Sequence, residues 1–508
     1  MSTQPTSRKV ASVKTAITGI IMNVVITLLG FIVQKIFIDS LGVEYNGIKG
    51  VFTSIVSVIT LADLGVGTAI IFHLYKPLHE NNKKVIASLI SYYHKVCRIL
   101  TIVVLAVGLA IMPFLSFLIG DHSIPDNVYI IFVLFIIKAA MSYILAHRRP
   151  LLQADQKGYI INLITTLSSI LLYGLQIVVL ITTRNFYLFI ACMIIAKLIE
   201  NIVLNQIAKY RYPYTTKYEP LAKNTKTDII KKIKGSAFHN ASSYVIYSTD
   251  NIIISTIFGI TTVGIYTNYS MILNALQTLV DQIFSSMSAS FGNLLVSDGV
   301  EKTYRIFRRT SLLAFWIYSS IAIATYFCVT SFITMWIGEE FLLPNVVVGT
   351  LVLNFFIRGM RLPINNVIAA AGIIYENRYM PVAEAIINLI ASIALANWIG
   401  LPGVFIGTVI SNIFLHVFSY PKYGFKLVFQ RKKVEYILLF IKNLLIFVVA
   451  WTCVWGTMHL ISIDNLLLEF IVKGAVSIII PSVLYLIIFH RTDDFKYFVS
   501  LTKKLIRR

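Results

Sequence analysis

GVEYNGIKGVFTSIVSVIT, residues 42–60, has a second copy in GITTVGIYTNYSMILNALQ, residues 259–277. Gly42 and Gly47 align with Gly259 and Gly264, and Thr53, Ser57 and Thr60 with Ser270, Asn274 and Gln277, all at one constant shift of 217 residues. Both copies are apolar, and their polar residues recur at steps of three and four, which places them on one helix face. Two apolar segments carrying one polar stripe in one register describe a duplicated membrane bundle, a construction common among carriers.

Composition agrees with that reading. The 508 residues are 57% hydrophobic and 13% charged, with a mean hydropathy of +0.79, whereas soluble domains are about 25% charged. The expected fold class is an all-α polytopic membrane protein. Apolar stretches long enough to cross about 30 Å of hydrocarbon fall at 14–40, 46–75, 85–119, 127–147, 159–183, 186–208, 236–258, 262–296, 304–337, 345–371, 378–399, 402–425, 434–459 and 465–489, fourteen in all. The first of them is too long for a signal-peptide core and lacks an A-x-A site, so it is expected to stay as an anchor.

A net charge of +21 suggests nucleic acid only until its placement is seen. Basic clusters occupy every second loop: Arg8, Lys9 and Lys14; Lys76, Lys83 and Lys84; Arg148, Arg149 and Lys157; Lys209 to Lys234; Lys302 to Arg309; Arg378; Lys422 to Lys433; and Arg491 to Arg508. The intervening loops are short and acidic or neutral. By the positive-inside rule both termini lie in the cytoplasm, and no nucleic-acid partner is expected. The four cysteines show no C-x-x-C spacing, so neither a disulfide framework nor a zinc site is supported. G-x-x-x-x-G-K-[ST], H-E-x-x-H and G-x-S-x-G are absent and no loop could fold as a domain, so the chain is not expected to be an enzyme and needs no cofactor.

The repeat extends past the glycine segment. Ile119-Gly120-Asp121 matches Ile337-Gly338-Glu339, and IINLI at 160–164 recurs at 386–390. Spans one to six therefore match spans seven to twelve in the same orientation, giving two six-helix lobes around a central cavity. The expected organisation is an N-terminal lobe at 1–208, a basic cytoplasmic linker at 209–235, a C-terminal lobe at 236–427, two extra helices within 428–490 and a basic tail at 491–508.

Polar groups without partners in hydrocarbon cost several kcal/mol each, so the stripes must face protein or a wet cavity. Ser270, Asn274 and Gln277 are candidate cavity hydrogen-bonders, with helix-to-helix glue as the plain alternative. Asp63, Asp250 and Asp281 are ionisable groups inside spans, which mark functional positions by default. Lys138 sits near the middle of the fourth span and needs a carboxylate or an anionic ligand. Arg358 and Arg361 share a face of the tenth, and a guanidinium fork suits phosphate. Lys35, beside Gln34 and near Asp39, is a further candidate, with snorkelling as its alternative. Lys197 and Glu200, three apart, could pair with each other, a purely structural solution. No carboxylate cluster has metal-site spacing.

The stretch Leu41 to Leu78, LGVEYNGIKGVFTSIVSVITLADLGVGTAIIFHLYKPL, and within it Leu61 to Lys76, resembles the second span of polysaccharide-type, Wzx-like transporters of the multidrug, oligosaccharidyl-lipid and polysaccharide (MOP) exporter superfamily. The resemblance implies flipping of a polyprenyl-pyrophosphate-linked oligosaccharide across the bacterial cytoplasmic membrane by alternating access, for O-antigen, capsule or exopolysaccharide assembly. It further implies phosphate or acidic-sugar contacts at Lys138, Arg358 and Arg361 and glycan contacts at Ser270, Asn274 and Gln277, with Lys35 a further substrate-binding candidate. Asp63, Asp250 and Asp281 would serve proton or sodium coupling or pair with those cations in one of the two states, with membrane lipids, polymerase and glycosyltransferases as partners. Relatives that flip the peptidoglycan precursor carry several arginines where this chain has Gln34, Lys35 and Asp39, which counts against that substrate. A multidrug or cation antiporter is the alternative.

A reporter active only in the cytoplasm, fused to either end, should give full signal. A reporter active only outside should give none; the reverse pattern at either terminus overturns the orientation.

Overall fold

The computed structural model describes residues 5–60, 65–297, 299–373, 376–460 and 463–506, with the side chains of 5–18, 20–21, 232–247, 283, 285–290, 292–298 and 501–506 excluded. Asp63 therefore lies outside the described residues. Regular structure among them is helical throughout, and the chain divides into two compact units, Met1–Thr267 and Asn268–Arg508.

The first unit contains α1 (Pro5–Leu41), α2 (Val43–Ile59), α3 (Val66–His79), α4 (Lys83–Ile111), α5 (Leu115–Ile119), α6 (Val128–Met141), α7 (Arg149–Ala154), α8 (Gly158–Thr183), α9 (Phe186–Arg211) and α10 (Lys223–Phe258). The unit boundary falls inside α11 (Ile260–Ser297). The second unit continues through α12 (Gly299–Trp336), α13 (Asn345–Gly359), α14 (Leu362–Ala370), α15 (Tyr379–Ile399), α16 (Leu401–Phe414, prolonged by wide turns to Val428), α17 (Lys433–Met458), α18 (Leu466–Phe489) and α19 (Asp493–Ile506).

Eleven helical runs among the described residues are long and apolar enough to cross a membrane. The three remaining expected spans correspond to α2 with α3, to α10 and to α11. The second expected span is two helices: α2 stops at Ile59, and α3 begins behind Gly65, whose φ is +90°. The repeat partner of Gly65, Gln282, lies inside an uninterrupted helix. Gly adopts this left-handed conformation at lower cost than a residue with Cβ, and the two copies differ at this point. The expected linker is also part helix. Residues 213–216 form a single tight turn, while 223–235 are the first turns of α10. Where the linker leaves α9, the Tyr212 hydroxyl donates to Asp155 Oδ2 at 2.6 Å, and burial together with this carboxylate holds the phenol well above its ordinary pKa.

Helix turns repeat with the sequence. Backbones at Gly42 and Gly259, and at Gly120 and Gly338, adopt positive φ. Near the first pair, inside the first unit, α2 crosses the start of α11 reciprocally. A methyl group on Gly47 would strike the carbonyl oxygen of Ile260, and one on Gly264 would strike that of Val43. Val43 and Gly47 are the repeat partners of Ile260 and Gly264, so the crossing is one contact made twice about a pseudo-two-fold axis. Asn46 Nδ2 closes it by donating to Gly264 O at 2.7 Å.

Gly47→Ala or Gly264→Ala should each destabilise the purified protein by about 1–3 kcal/mol, the usual cost of overpacking. Because either change opens the same crossing, the double variant should cost less than the sum. Unchanged melting temperatures in both single variants would contradict the close approach.

Candidate functional site

In the first unit, α1, α2, α6 and α9 bring a series of cations into the bundle. Lys49 Nζ donates to Gln34 Oε1 at 2.7 Å, and Gln34 Nε2 donates to Asn46 Oδ1 at 2.9 Å. The same ammonium lies 4.2 Å from the centroid of the Phe37 ring, and Lys138 Nζ lies 5.8 Å from that of Phe135. Aromatic faces attract cations without supplying an opposite charge. Lys138 is close enough to feel the charges of Lys49 and Lys197. From the helix starts, Lys49, Lys138 and Lys197 lie about 9, 15 and 17 Å along α2, α6 and α9 at 1.5 Å per residue.

At the far end of this series the charge is answered. Glu200 accepts from Lys197 at 2.9 Å, Arg149 at 3.1 Å and Thr165 at 3.0 Å. The expected Lys197–Glu200 pair is thus present and extended by Arg149. At the near end it is not: among the described residues, no carboxylate oxygen lies within ion-pair distance of Lys49 or Lys138. Lys49 did not stand out in the sequence, although it sits four residues before Thr53 and so begins the stripe of Thr53, Ser57 and Thr60.

Lys35 lies apart from this series, on an exposed face of α1, where it pairs with Asp39 at 3.4 Å with side chains 47% and 54% exposed. Asp250 is buried on α10 beside Asn251, whose Nδ2 donates to Ser54 Oγ at 2.9 Å.

In the second unit Ser270 is half-buried and Asn274 exposed, while Gln277 is buried on the same face of α11 as Asp281. Gln277 Nε2 donates to Asp281 Oδ1 and to Tyr318 Oη, both at 2.6 Å, and the Tyr318 hydroxyl donates to Asp281 Oδ1 at 2.9 Å. Arg358, at the end of α13, lies within electrostatic reach of Tyr318 and Glu384.

Arg361 is held in a cluster of buried polar side chains. Its Nη1 donates to Glu384 Oε1 at 2.6 Å and to Asn412 Oδ1, Nη2 donates to Glu384 Oε2 at 3.3 Å, and Nε donates to Tyr420 Oη at 2.7 Å. The fork proposed for phosphate is occupied by a carboxylate of the same protein. Sequence spacing could not reveal this, because Glu384 and Asn412 come from α15 and α16.

Removing one member of this pair leaves a buried charge alone. Glu384→Leu should therefore destabilise by about 3–5 kcal/mol, while the double variant Glu384→Leu, Arg361→Met should recover most of it. Equal melting temperatures for wild type and Glu384→Leu would refute the structural role.

No protein-family model and no curated protein matches the sequence. Solved structures do. Lipid II flippase MurJ in an inward closed conformation aligns with a TM-score of 0.66 at 15% identity, over 93% of this chain and 99% of that one. An inward-facing multidrug resistance MATE family transporter of the MOP superfamily aligns with a TM-score of 0.61 at 15% identity, over 85% and 98%. A MOP superfamily transporter from Pyrococcus furiosus aligns with a TM-score of 0.52 at 15% identity, over 87% and 96%. The chain has the multi-pass helical fold of these MOP-superfamily transporters.

Proposed function

We propose that this chain flips a polyprenyl-pyrophosphate-linked oligosaccharide from the inner to the outer leaflet of a bacterial cytoplasmic membrane by alternating access, supplying O-antigen, capsule or exopolysaccharide assembly. The observation that carries the reading is the pair Lys49 and Lys138, interior lysines without a carboxylate in ion-pair distance among the described residues. A lysine at the centre of a span, the position expected of Lys138, costs about 2.5–3.5 kcal/mol on insertion scales. Two neighbouring ones repel each other as well, so the pair is best satisfied by an anion arriving from outside the protein. Pyrophosphate has that charge, and its lipid tail can remain in hydrocarbon while the sugar needs a polar path.

In this reading Lys49 and Lys138 hold phosphate, and Gln34 and Asn46 orient Lys49. Arg358 is a second anion contact, and Ser270 and Asn274 meet sugar hydroxyls. The termini lie in the cytoplasm, where glycosyltransferases deliver the loaded lipid, and polymerase receives it outside. Antiport of a cationic drug is the rival, and two unanswered lysines disfavour it because like charges repel.

Lys49→Ala and Lys138→Ala should each lower export at least about tenfold at normal protein level, a loss of about 1.4 kcal/mol. The corresponding deletion strain should accumulate lipid-linked oligosaccharide in the inner leaflet with unchanged drug tolerance. Full export by both variants, or a drug phenotype without lipid accumulation, would sink the proposal.

A further inference from the structure

We infer that His94, Arg98, His147 and Arg148 form a site for an anionic phosphate group at the edge of the first unit, at the depth of lipid headgroups. His94 and Arg98 stand one turn apart on one face of α4, and His147 and Arg148 lie in the tight turn 146–148 before α7. The imidazoles of His94 and His147 are stacked, with ring centroids 4.2 Å apart and planes inclined by 24°. Both rings are within electrostatic reach of the Arg98 and Arg148 guanidiniums.

Among the described residues no carboxylate oxygen lies within ion-pair distance of Arg98 or Arg148. Arg148 is buried, and its three nitrogens donate to neutral oxygens: Nε to Thr215 Oγ1 at 3.2 Å, Nη1 to Asn205 Oδ1 at 2.5 Å and Nη2 to the Thr215 carbonyl at 3.4 Å. Arg98 is exposed. The His147 Nδ1 is buried with no hydrogen-bond partner, so the packing gathers donors here and supplies no acceptor. A guanidinium in a protein does not give up its proton. Two of them beside one pair of rings are balanced by an anion from outside the chain.

Depth identifies that anion. The run Lys83–Ile119 is 37 residues long, whereas about 20 residues cross the hydrocarbon. Counted back from Ile119, the hydrocarbon ends near Arg98, and His94 stands a turn further out. The linker passes at the same level, since Glu219 N donates to Ser91 Oγ at 3.3 Å and Lys95 Nζ to Tyr218 Oη at 2.7 Å. By the positive-inside rule this is the cytoplasmic face.

Basic pockets between helices at that level suit phosphate headgroups, and a guanidinium fork can take two phosphate oxygens at once. Deeper along α4, Ile99, Ile102 and Leu109 are exposed, an apolar strip on which an acyl chain can lie. Arg98 and His94 then contact the phosphate, while Arg148 and His147 add positive charge and support behind them. The site does not depend on the lipid-linked cargo reading.

The test is thermal denaturation of the purified full chain in detergent micelles doped with phosphatidylglycerol or phosphatidylcholine. A third arm adds inorganic phosphate without lipid, all at constant ionic strength. Phosphatidylglycerol should raise the melting temperature saturably, and phosphatidylcholine, whose choline cancels the charge, should not. Arg98→Gln should weaken the apparent affinity about tenfold, the loss expected when one charge-assisted hydrogen bond is removed, and His94→Gln should weaken it as well. Both positions are exposed or half-buried, so the variants should fold, and Arg98→Lys, which keeps the charge, should retain part of the response. Lys84→Gln removes an equal charge from an exposed position on the same helix and should change nothing. Stabilisation by inorganic phosphate that Arg98→Gln weakens supports the site with free phosphate as its occupant. Equal responses to both lipids overturn it. So does a response that survives Arg98→Gln and His94→Gln, or one that falls equally in Lys84→Gln. Failure of the cargo reading would appear in the export assay of Lys49→Ala and Lys138→Ala and leave this titration intact.

Discussion

A charge inside hydrocarbon has no solvent to fall back on, and the arrangement of both units follows from how each interior charge is answered. In the second unit Arg361 is enclosed by Glu384, Asn412 and Tyr420, and Lys473 meets Glu469 at 2.7 Å on α18. These pairs are internal solutions and hold helices together. In the first unit Glu200 gathers Lys197 and Arg149, but among the described residues Lys49 and Lys138 meet an amide oxygen and aromatic faces and no carboxylate. These partial answers differ in kind from the closed ion pairs around Arg361 and Glu200.

Duplication supplies the frame. The same turn is made at Gly42 and Gly259, and again at Gly120 and Gly338, so corresponding helices begin at corresponding places. Close approach at Gly47 and Gly264 lets one backbone rest on another without intervening side chains. Small residues at crossings are how membrane helices pack when no hydrophobic force distinguishes helix from lipid. The copies then diverge where chemistry is added: Lys49 has Tyr266 as its repeat partner, and Gly65 has Gln282.

Much of the fold was legible in the chain. The expected spans fall on the observed helices, because length and apolarity in a bilayer leave few choices. Expectation and structure part at Gly65, where hydropathy continues but the backbone does not, and at 223–235, where a polar composition hides a helix. The site was legible only in part. Lys138, Gln277 and Asp281 stood out as polar groups in apolar runs, whereas Lys49 was overlooked near a span end and Tyr318 passed as an ordinary aromatic residue.

The amino-acid sequence by itself determined the membrane-spanning class, the duplication and its register, and which interior residues carry charge, since these depend on local apolarity and on spacing along one helix. Tertiary structure alone decided which of those charges are already answered. Arg361 and Lys138 look alike in a hydropathy profile. One meets a carboxylate 23 residues away, and the other has no such partner among the described residues. Neutralisation acts through space over a few ångströms, and only packing brings distant positions within that reach.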